Sequence, residues 1–337
     1  MLQGLTLPDS WRTLLETFRP VFRRSSTVVS FSVLATGLVA RTARRTVVGM
    51  LAGAGTAAVV SLHPVCRLFS HHARAADRFG PLPARLIVTR LIGADAPVPA
   101  AVDGTLLRRW GRKVHRASWT QDGAAQGPAK LGRGNRWVIA GIVVDLPLCT
   151  HPVCLPVLFR LWGGKGSASP VALAAESLKL LAGECSDRVI QGVGDAAYHG
   201  RALLVAGPTW TTRPPSIAAG KQLLGIGQAR NRLPRAVERT VPFGFAVYSL
   251  IIVWYASNGY HPDDITSRLA AQPCYDHKTS ARVRRHAHQA PPHPRRRPSN
   301  RRWRSSTRPR RIPRLRPGLR RHRRITAKLK RVVTRDY

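Results

Sequence analysis

The sequence predicts a mixed α/β fold, with a helical region before the sheet and a basic tail after it. Residues 96–280 contain segments rich in β-branched residues together with a helical segment, which is typical of a mixed sheet with packed helices. Residues 1–95 carry apolar residues at helical spacing. From residue 281 onward Arg, Pro and His dominate, so this tail has too few apolar residues to form a core and we expect disorder. We therefore divide the chain into 1–95, 96–280 and 281–337.

The helical region is expected to start near Asp9 and to include the apolar stretches 28–39 and 83–91. Arginines occupy positions between the apolar ones. Two interpretations stay open: the helices recognise a DNA site, or they form a bundle that supports the sheet.

The sheet region is predicted to contain four strands and one helix. The first strand ends at Asp103, the second covers Arg136–Leu146 and the third covers Val153–Trp162. The second strand is rich in β-branched residues and fits a central position. The helix covers Val171–Leu181 and follows a proline, which suits the first helical position. The last strand ends at Asp195.

An acid at the end of the first and of the last strand is the feature of this region that indicates chemistry. The order strand–strand–strand–helix–strand, with these two acids, is the skeleton of a ribonuclease-H-like nuclease core. Carboxylates at neighbouring strand ends can hold Mg²⁺ for phosphodiester cleavage, so Asp103 and Asp195 are candidate metal ligands. The alternative is that each aspartate simply lies in a turn after a strand, where Asp is common.

The charge balance predicts a polyanionic partner. Lys and Arg number 55 against 16 Asp and Glu, a formal net charge of +39. Nucleic acid is the default partner because each neutralised phosphate releases a counterion. The candidate DNA contacts are the cations of the loop region after Asp103, which also contains Trp110: Arg108, Arg109, Arg112, Lys113 and Lys130. The alternative is a solvated charged loop. The tail would bind polyanions too, or it is the product of a frameshift without a selected role.

Two apolar runs, Val47–Leu62 and Phe243–Ala256, raise the question of a membrane. Both are shorter than the ~20 apolar residues that a spanning helix needs, so we expect buried helices and no membrane partner. An anionic membrane surface is the alternative partner of the basic chain. The five cysteines have no zinc-binding spacing and indicate free thiols in a reducing compartment, so we expect a cytoplasmic, nucleoid-associated protein.

Three segments together resemble a known family: 101–111 (AVDGTLLRRWG), 193–200 (VGDAAYHG) and 227–232 (GQARNR). They are similar to bacterial insertion-sequence transposases with a DDE endonuclease domain, of the type abundant in actinobacteria. The resemblance implies a ribonuclease-H-like fold and Mg²⁺-dependent DNA cleavage and strand transfer at the terminal repeats of the element. It also implies that Asp103 and Asp195 are the first and second catalytic aspartates. Whether the chain forms a homodimer stays open.

The chain departs from that family at three places. The family has Asp-Asp-Thr where this chain has Asp103-Gly104-Thr105, and the tail does not resemble the family's end. The family's third acid, a Glu, precedes the segment that resembles 220–225, yet no acid occurs between Asp195 and Gln222, which indicates an internal deletion. Glu238 falls in a different matched segment and is not assigned the role. We expect a transposase by descent with impaired catalysis; the alternative is a catalytically inactive nucleic-acid-binding remnant.

Overall fold

The structure of the protein is a computed structural model. It describes residues 7–259, apart from 42–43, 72–78, 124, 126–129, 147–148, 150, 199–209, 212–220 and 222–223. The predicted tail, 281–337, lies outside the described residues.

The described part is a six-stranded mixed sheet with helices before, between and after the strands. The helices are α1 (Asp9–Glu16), α2 (Ser25–Ala40), α3 (Val47–Ala54), α4 (Leu62–Ser70), α5 (Pro81–Leu91), α6 (Pro170–Glu184) and α7 (Pro234–Trp254). The strands are β1 (Val98–Arg108), β2 (Ser118–Gln121), β3 (Leu131–Val144), β4 (Val153–Leu161), β5 (Ile190–Gly194) and β6 (Trp210–Thr211). Short 3-10 turns cover Arg19–Val21, Ala196–Tyr198 and Ile226–Gln228, and a π turn covers Tyr255–Gly259.

The sheet has β1 near its centre. β1 pairs antiparallel with β3 on one side and parallel with β5 on the other, and β5 continues in parallel to β6. The far edge of β3 pairs antiparallel with β2 at its beginning and with β4 over the rest of its length. This mixed order agrees with the predicted α/β core of the ribonuclease-H-like type, so the predicted fold class is confirmed.

Local sequence signals explain several elements. β3 is nearly continuous in buried Val, Ile and Ala from Trp137, as expected of a central strand. α6 begins where the Ser169 hydroxyl accepts a hydrogen bond from the Ala172 N–H at 3.1 Å, with Pro170 at the first helical position. Pro156 in β4 lies at a register shift between Ala140 and Gly141 of β3, a place where a strand tolerates proline.

α7 is the central helix of the apolar core. It contacts β4 and the helices α1, α2, α4 and α5, and nearly all of its residues from Val241 to Trp254 are buried. The Ser249 hydroxyl donates to the Pro156 carbonyl at 2.8 Å, which satisfies the helix's buried hydroxyl. The indole of Trp254 donates to the Ser10 hydroxyl at 3.0 Å and meets Trp11 edge-on, with ring centroids 6.1 Å apart. These contacts tie the N-terminal helices to the sheet.

Two sequence predictions about helices need correction. Val47–Leu62 is not one buried helix: α3 ends at Ala54, Gly55 adopts a left-handed conformation with φ +75°, and Val59 is 72% exposed. A left-handed residue ends the helix, and glycine adopts that conformation without a steric penalty. The sequence of residues 220–231 also predicts a helix, but the chain is not helical from Ala229 to Asn231.

The prediction for the second apolar run is confirmed, since Phe243–Ala256 lies within or directly after α7 and is mostly buried. Pro234–Gly259 is long and apolar enough to cross a membrane, but 78% of its most apolar window is packed inside the protein. Among the described cysteines none is in a disulfide; Cys154 and Cys185 are buried, whereas Cys66 is exposed.

Candidate active site

The register of β1 against β5 brings the two candidate acids together. In this parallel pair Val102 is opposite Gly194, so Asp103 and Asp195 directly follow the last paired residues of β1 and β5. Adjacent strands are about 4.8 Å apart, so both aspartates lie at the same end of the β1–β5 pair. Asp103 is half-buried and Asp195 is exposed.

The expectation that β1 ends at Asp103 is wrong. β1 continues to Arg108 because its other edge stays paired with β3, where Asp103 is opposite Ile139. Only the pairing with β5 stops at Val102. The aspartate therefore lies in the middle of a strand that has lost one neighbour, which fixes its backbone more firmly than a loop would.

Asp195 lies close enough to Asp103 to affect the ionisation of its carboxyl. Burial raises the pKa of the Asp103 carboxyl, the backbone N–H of Gly104 and the nearby Lys221 lower it, and repulsion by Asp195 raises it further. A carboxylate that is both desolvated and beside a second carboxylate gains stability when a cation binds. The pair therefore has the chemistry of a cation site.

Tyr198 packs beside this site, three residues after Asp195. It ends the 3-10 turn after β5, where its N–H donates to the Asp195 carbonyl at 2.8 Å. Its side chain is 4% exposed, and its Oη forms no hydrogen bond with any described residue. Burial and the fields of Asp103 and Asp195 raise the pKa of this phenol to about 12, against the opposing effect of Arg136.

Gly104 provides the space that the phenol occupies. A Cβ at position 104 would lie 2.7 Å from Tyr198 Oη, closer than nonbonded atoms approach. The difference from the family's Asp-Asp-Thr pattern thus has a steric consequence, since any side chain at 104 would meet the phenol.

Lys221 supplies a positive charge beside Asp103. Its Nζ donates a hydrogen bond to the Thr105 hydroxyl, two residues beyond the aspartate on β1. Burial lowers the pKa of the Lys221 ammonium, while Asp103 and Asp122 act in the opposite direction. Sequence reasoning missed both Lys221 and Tyr198, although each lies in or beside a segment that resembles the family. No local signal distinguishes them, because their roles depend on contacts with β1.

A third carboxylate is not found at this site in the described part of the chain, where no group of three His, Cys, Asp or Glu side chains could hold a metal. The Glu238 carboxylate lies 3.4 Å from the His115 imidazole, in the loop that follows β1. The donor set of Asp103 and Asp195 fits a single Mg²⁺ ion, which proteins often hold by one or two carboxylates plus substrate phosphates. It is too small for two ions.

The strand end beyond Asp103 leads into a loop of residues 109–117, called here the basic loop. Arg109 differs from the exposed cation that we expected: its side chain is 6% exposed. Its Nε donates to the Asn135 side chain at 3.1 Å and one terminal nitrogen donates to the Gly227 carbonyl at 2.8 Å. Arg109 is therefore an internal brace, and its burial removes it from the surface that DNA could reach.

Arg133 and Asn135, on β3, hold the rest of the basic loop. The guanidinium of Arg133 donates to the carbonyls of Gly111 at 2.8 Å and Arg112 at 3.0 Å. Asn135 donates to the His115 carbonyl at 2.8 Å. These bonds to backbone carbonyls fix the path of the loop without using any of its own side chains.

The remaining predicted DNA contacts are at the surface. Arg112, Lys113 and Lys130 are exposed. Arg108 is half-exposed, and its Nε donates to the buried carboxylate of Asp122 at 2.7 Å. Four of the five predicted cations can thus reach a ligand, one of them while paired with an acid.

The segment 226–235, which runs from the 3-10 turn at Ile226–Gln228 to the first residues of α7, lies against the basic loop. The His115 N–H donates to the Arg232 carbonyl at 3.0 Å, and Arg109 reaches the Gly227 carbonyl. The three segments that resemble the family therefore meet along β1. The first, 101–111, includes the end of β1. The second, 193–200, meets it at Asp103 and Gly104, and the third, 227–232, meets it at the basic loop. Together they place a pair of carboxylates next to a cationic surface.

Comparison with protein families agrees with this class. The family model described as DDE superfamily endonuclease matches residues 17–194, more than half of the chain, and the chain belongs to this family. The match includes Asp103 and ends one residue before Asp195. Membership gives the chain a transposase-like DDE endonuclease domain, a class of nuclease that acts on DNA and generally uses divalent metal ions. No curated protein matches the chain.

Proposed function

We propose that this protein is a DNA transposase by descent, of the insertion-sequence type found in actinobacteria, that cleaves and joins DNA at terminal repeats with impaired catalysis. The observation that carries this proposal is the register of β1 and β5, which sets Asp103 and Asp195 side by side in a member of the DDE family. Residues 96–280 would form the nuclease core, and the helices of 1–95 would contribute to site recognition. Action near the nucleoid, and as a homodimer, belongs to the same proposal.

The carboxylates of Asp103 and Asp195 would hold Mg²⁺. When bound, this ion would activate the attacking oxygen and stabilise charge on the phosphate. Asp103 is fixed within β1 and Asp195 follows β5 directly, so neither carboxylate needs a large rearrangement to share a ligand. Lys221 beside Asp103 would meet the negative charge of the same phosphate group.

The exposed cations would hold the DNA backbone beyond the end of β1 that carries Asp103. Arg112 and Lys113 extend from the fixed basic loop, and Lys130 lies directly before β3. Lys and Arg side chains that contact phosphates position the duplex and carry no sequence information of their own. The tail would add unspecific affinity, given its many arginines.

Catalysis would be impaired because the described residues bring two carboxylates to the site, where the family's pattern has three. Loss of one preorganised electrostatic group commonly costs about 10²–10³ in rate. The second candidate function is a nucleic-acid-binding remnant without nuclease activity. It is favoured by the lack of a third carboxylate among the described residues together with the net charge of +39.

The test is cleavage of DNA that carries the flanking inverted repeats, with Mg²⁺ and without it, by the full chain and by Asp103→Ala and Asp195→Ala. Asp95→Ala, which alters an exposed aspartate before β1, is the matched control. Slow Mg²⁺-dependent cleavage that both site variants lose and the control retains supports the transposase. Binding without cleavage supports the remnant, and cleavage that survives both site variants would refute the assigned site. Mn²⁺ titration followed by electron paramagnetic resonance measures the metal site independently of turnover.

A further inference from the structure

Trp110 is the most exposed large apolar side chain of the described residues, at 90%. It follows directly after the buried Arg109 and before Gly111, whose carbonyl is held by Arg133. Its backbone is thus fixed on both sides, while its indole has no described neighbour to cover it. An aromatic ring that is held out rigidly loses little conformational freedom when it binds a ligand.

The surroundings of Trp110 are strongly cationic. Exposed cations occur on the basic loop and on the adjoining segment 226–235: Arg112, Lys113, Arg116, Arg230, Arg232 and Arg235. Two carboxylates at this surface each lie beside a basic side chain, Glu238 at His115 and Asp122 at Arg108. A ligand of this surface therefore has to combine negative charge with a flat apolar face.

We propose that Trp110 is a binding site for an unpaired nucleobase, which stacks on its indole while the flanking cations hold the adjacent phosphates. This rests on the proposed action on DNA and adds to it a preference for DNA with unpaired bases. Stacking of a base on an aromatic side chain tolerates any sequence and commonly operates beside a cationic groove. Bases within a duplex already stack on each other, so the indole selects a base that has left the stack.

Geometry places this base near the carboxylate site but not in it. Trp110 lies seven residues beyond Asp103, and β1 rises about 3.3 Å per residue, so the two are separated by at most about 23 Å. A single strand that leaves the carboxylates can cover this distance within ten nucleotides, given a spacing of about 3.4 Å per stacked nucleotide. The stacked base would thus belong to a single-stranded flank of the DNA.

The test compares the binding of the full chain to three fluorescently labelled DNAs in EDTA, which prevents cleavage. The DNAs are a blunt duplex, the same duplex with a ten-nucleotide single-stranded extension, and the same extension with abasic sugars. The abasic extension keeps the phosphate charges and removes the bases. We expect the extension with bases to bind about 5- to 100-fold more tightly than the abasic one.

Variants assign this preference to a side chain. Trp110→Ala should abolish the difference between the two extensions and leave duplex affinity unchanged, whereas Trp110→Tyr should retain most of it. Trp119→Ala is the matched control, since Trp119 is 69% exposed but lies on β2. Arg112→Ala should weaken binding to both extensions equally. Because Trp110 is exposed, its replacement should leave the melting temperature unchanged.

The outcomes separate this inference from the function on which it rests. If the chain binds none of the DNAs, the proposed action on DNA fails. If it binds the duplex and treats both extensions alike, or if Trp119→Ala removes the preference as well, the stacking site is wrong and the proposed function stands.

Discussion

Replacement of Arg109 by alanine should destabilise the fold rather than weaken a DNA contact. The arginine is buried and donates to the Asn135 side chain and the Gly227 carbonyl, so it connects β1 to β3 and to the segment before α7. Its removal leaves the fully buried side-chain oxygen of Asn135 without this donor, whereas Gly227 is exposed and its carbonyl can bond to water instead.

The magnitude follows from the buried acceptor. A buried group left unsatisfied costs about 1–3 kcal/mol, so Arg109→Ala should lower the free energy of unfolding by about that amount. For a domain of about 200 residues this corresponds to a fall in melting temperature of roughly 2–12 °C. Arg109→Lys should recover only part of the loss, because one ammonium cannot reproduce the fork of a guanidinium.

Arg112→Ala is the comparison that makes the measurement decisive. Arg112 is exposed, so its loss should change stability by less than about 0.5 kcal/mol. It should weaken DNA binding and reduce the slope of log K against log salt by about 0.9, as expected for one lost phosphate contact. Thermal unfolding by circular dichroism and DNA binding by fluorescence anisotropy measure the two effects. If Arg109→Ala melts like the wild type but loses DNA affinity, the assignment of Arg109 as an internal brace is wrong.

Two further expectations concern the carboxylate site. Gly104→Ala should cost about 1–3 kcal/mol of stability, because the new Cβ would lie 2.7 Å from Tyr198 Oη. Adding Tyr198→Phe to the same chain should restore most of this loss, since the next ring atom is 3.7 Å away. An unchanged melting temperature in the single variant would contradict this. The pKa of Asp103 is raised in the folded state, so the wild type should lose stability as pH rises above about 3.8 and through that raised pKa. Without metal, Asp103→Asn should therefore be more stable than the wild type at pH 7, and the difference should vanish at low pH. Melting curves in EDTA between pH 4 and 8 check the sign, and a variant that is less stable at pH 7 would refute it.

The elements that sequence reasoning predicted well are those with local causes. A serine followed by a proline begins α6, and the Ser169 hydroxyl caps it. The β-branched residues of Arg136–Leu146 are the buried part of β3. The extent of β1 could not be predicted in the same way, because Asp103-Gly104-Thr105 looks locally like a turn and is held extended by β3. Pairing with a distant strand decided the conformation.

The candidate site was predictable in part for the same reason. Two acids beyond buried apolar runs indicated Asp103 and Asp195, and the register of β1 and β5 sets them side by side. Tyr198 and Lys221 carry no signal in the sequence, since what makes them notable is their distance from residues more than 90 positions earlier. Arg109 looked like its neighbours Arg108 and Arg112, and only its burial between β3 and Gly227 separates it from them.

The two halves of β1 perform separable tasks, and this bears on how the protein could lose one function and keep another. The first half pairs with β5 and carries Asp103, so a metal site there depends on the acids that the rest of the chain supplies. The second half pairs with β3 and leads into the basic loop, which Arg109, Arg133 and Asn135 fix through hydrogen bonds that involve no metal ligand. A third carboxylate is lacking among the described residues, and this concerns the first half alone. DNA binding at the basic loop should therefore persist in a chain whose nuclease chemistry is slow or lost.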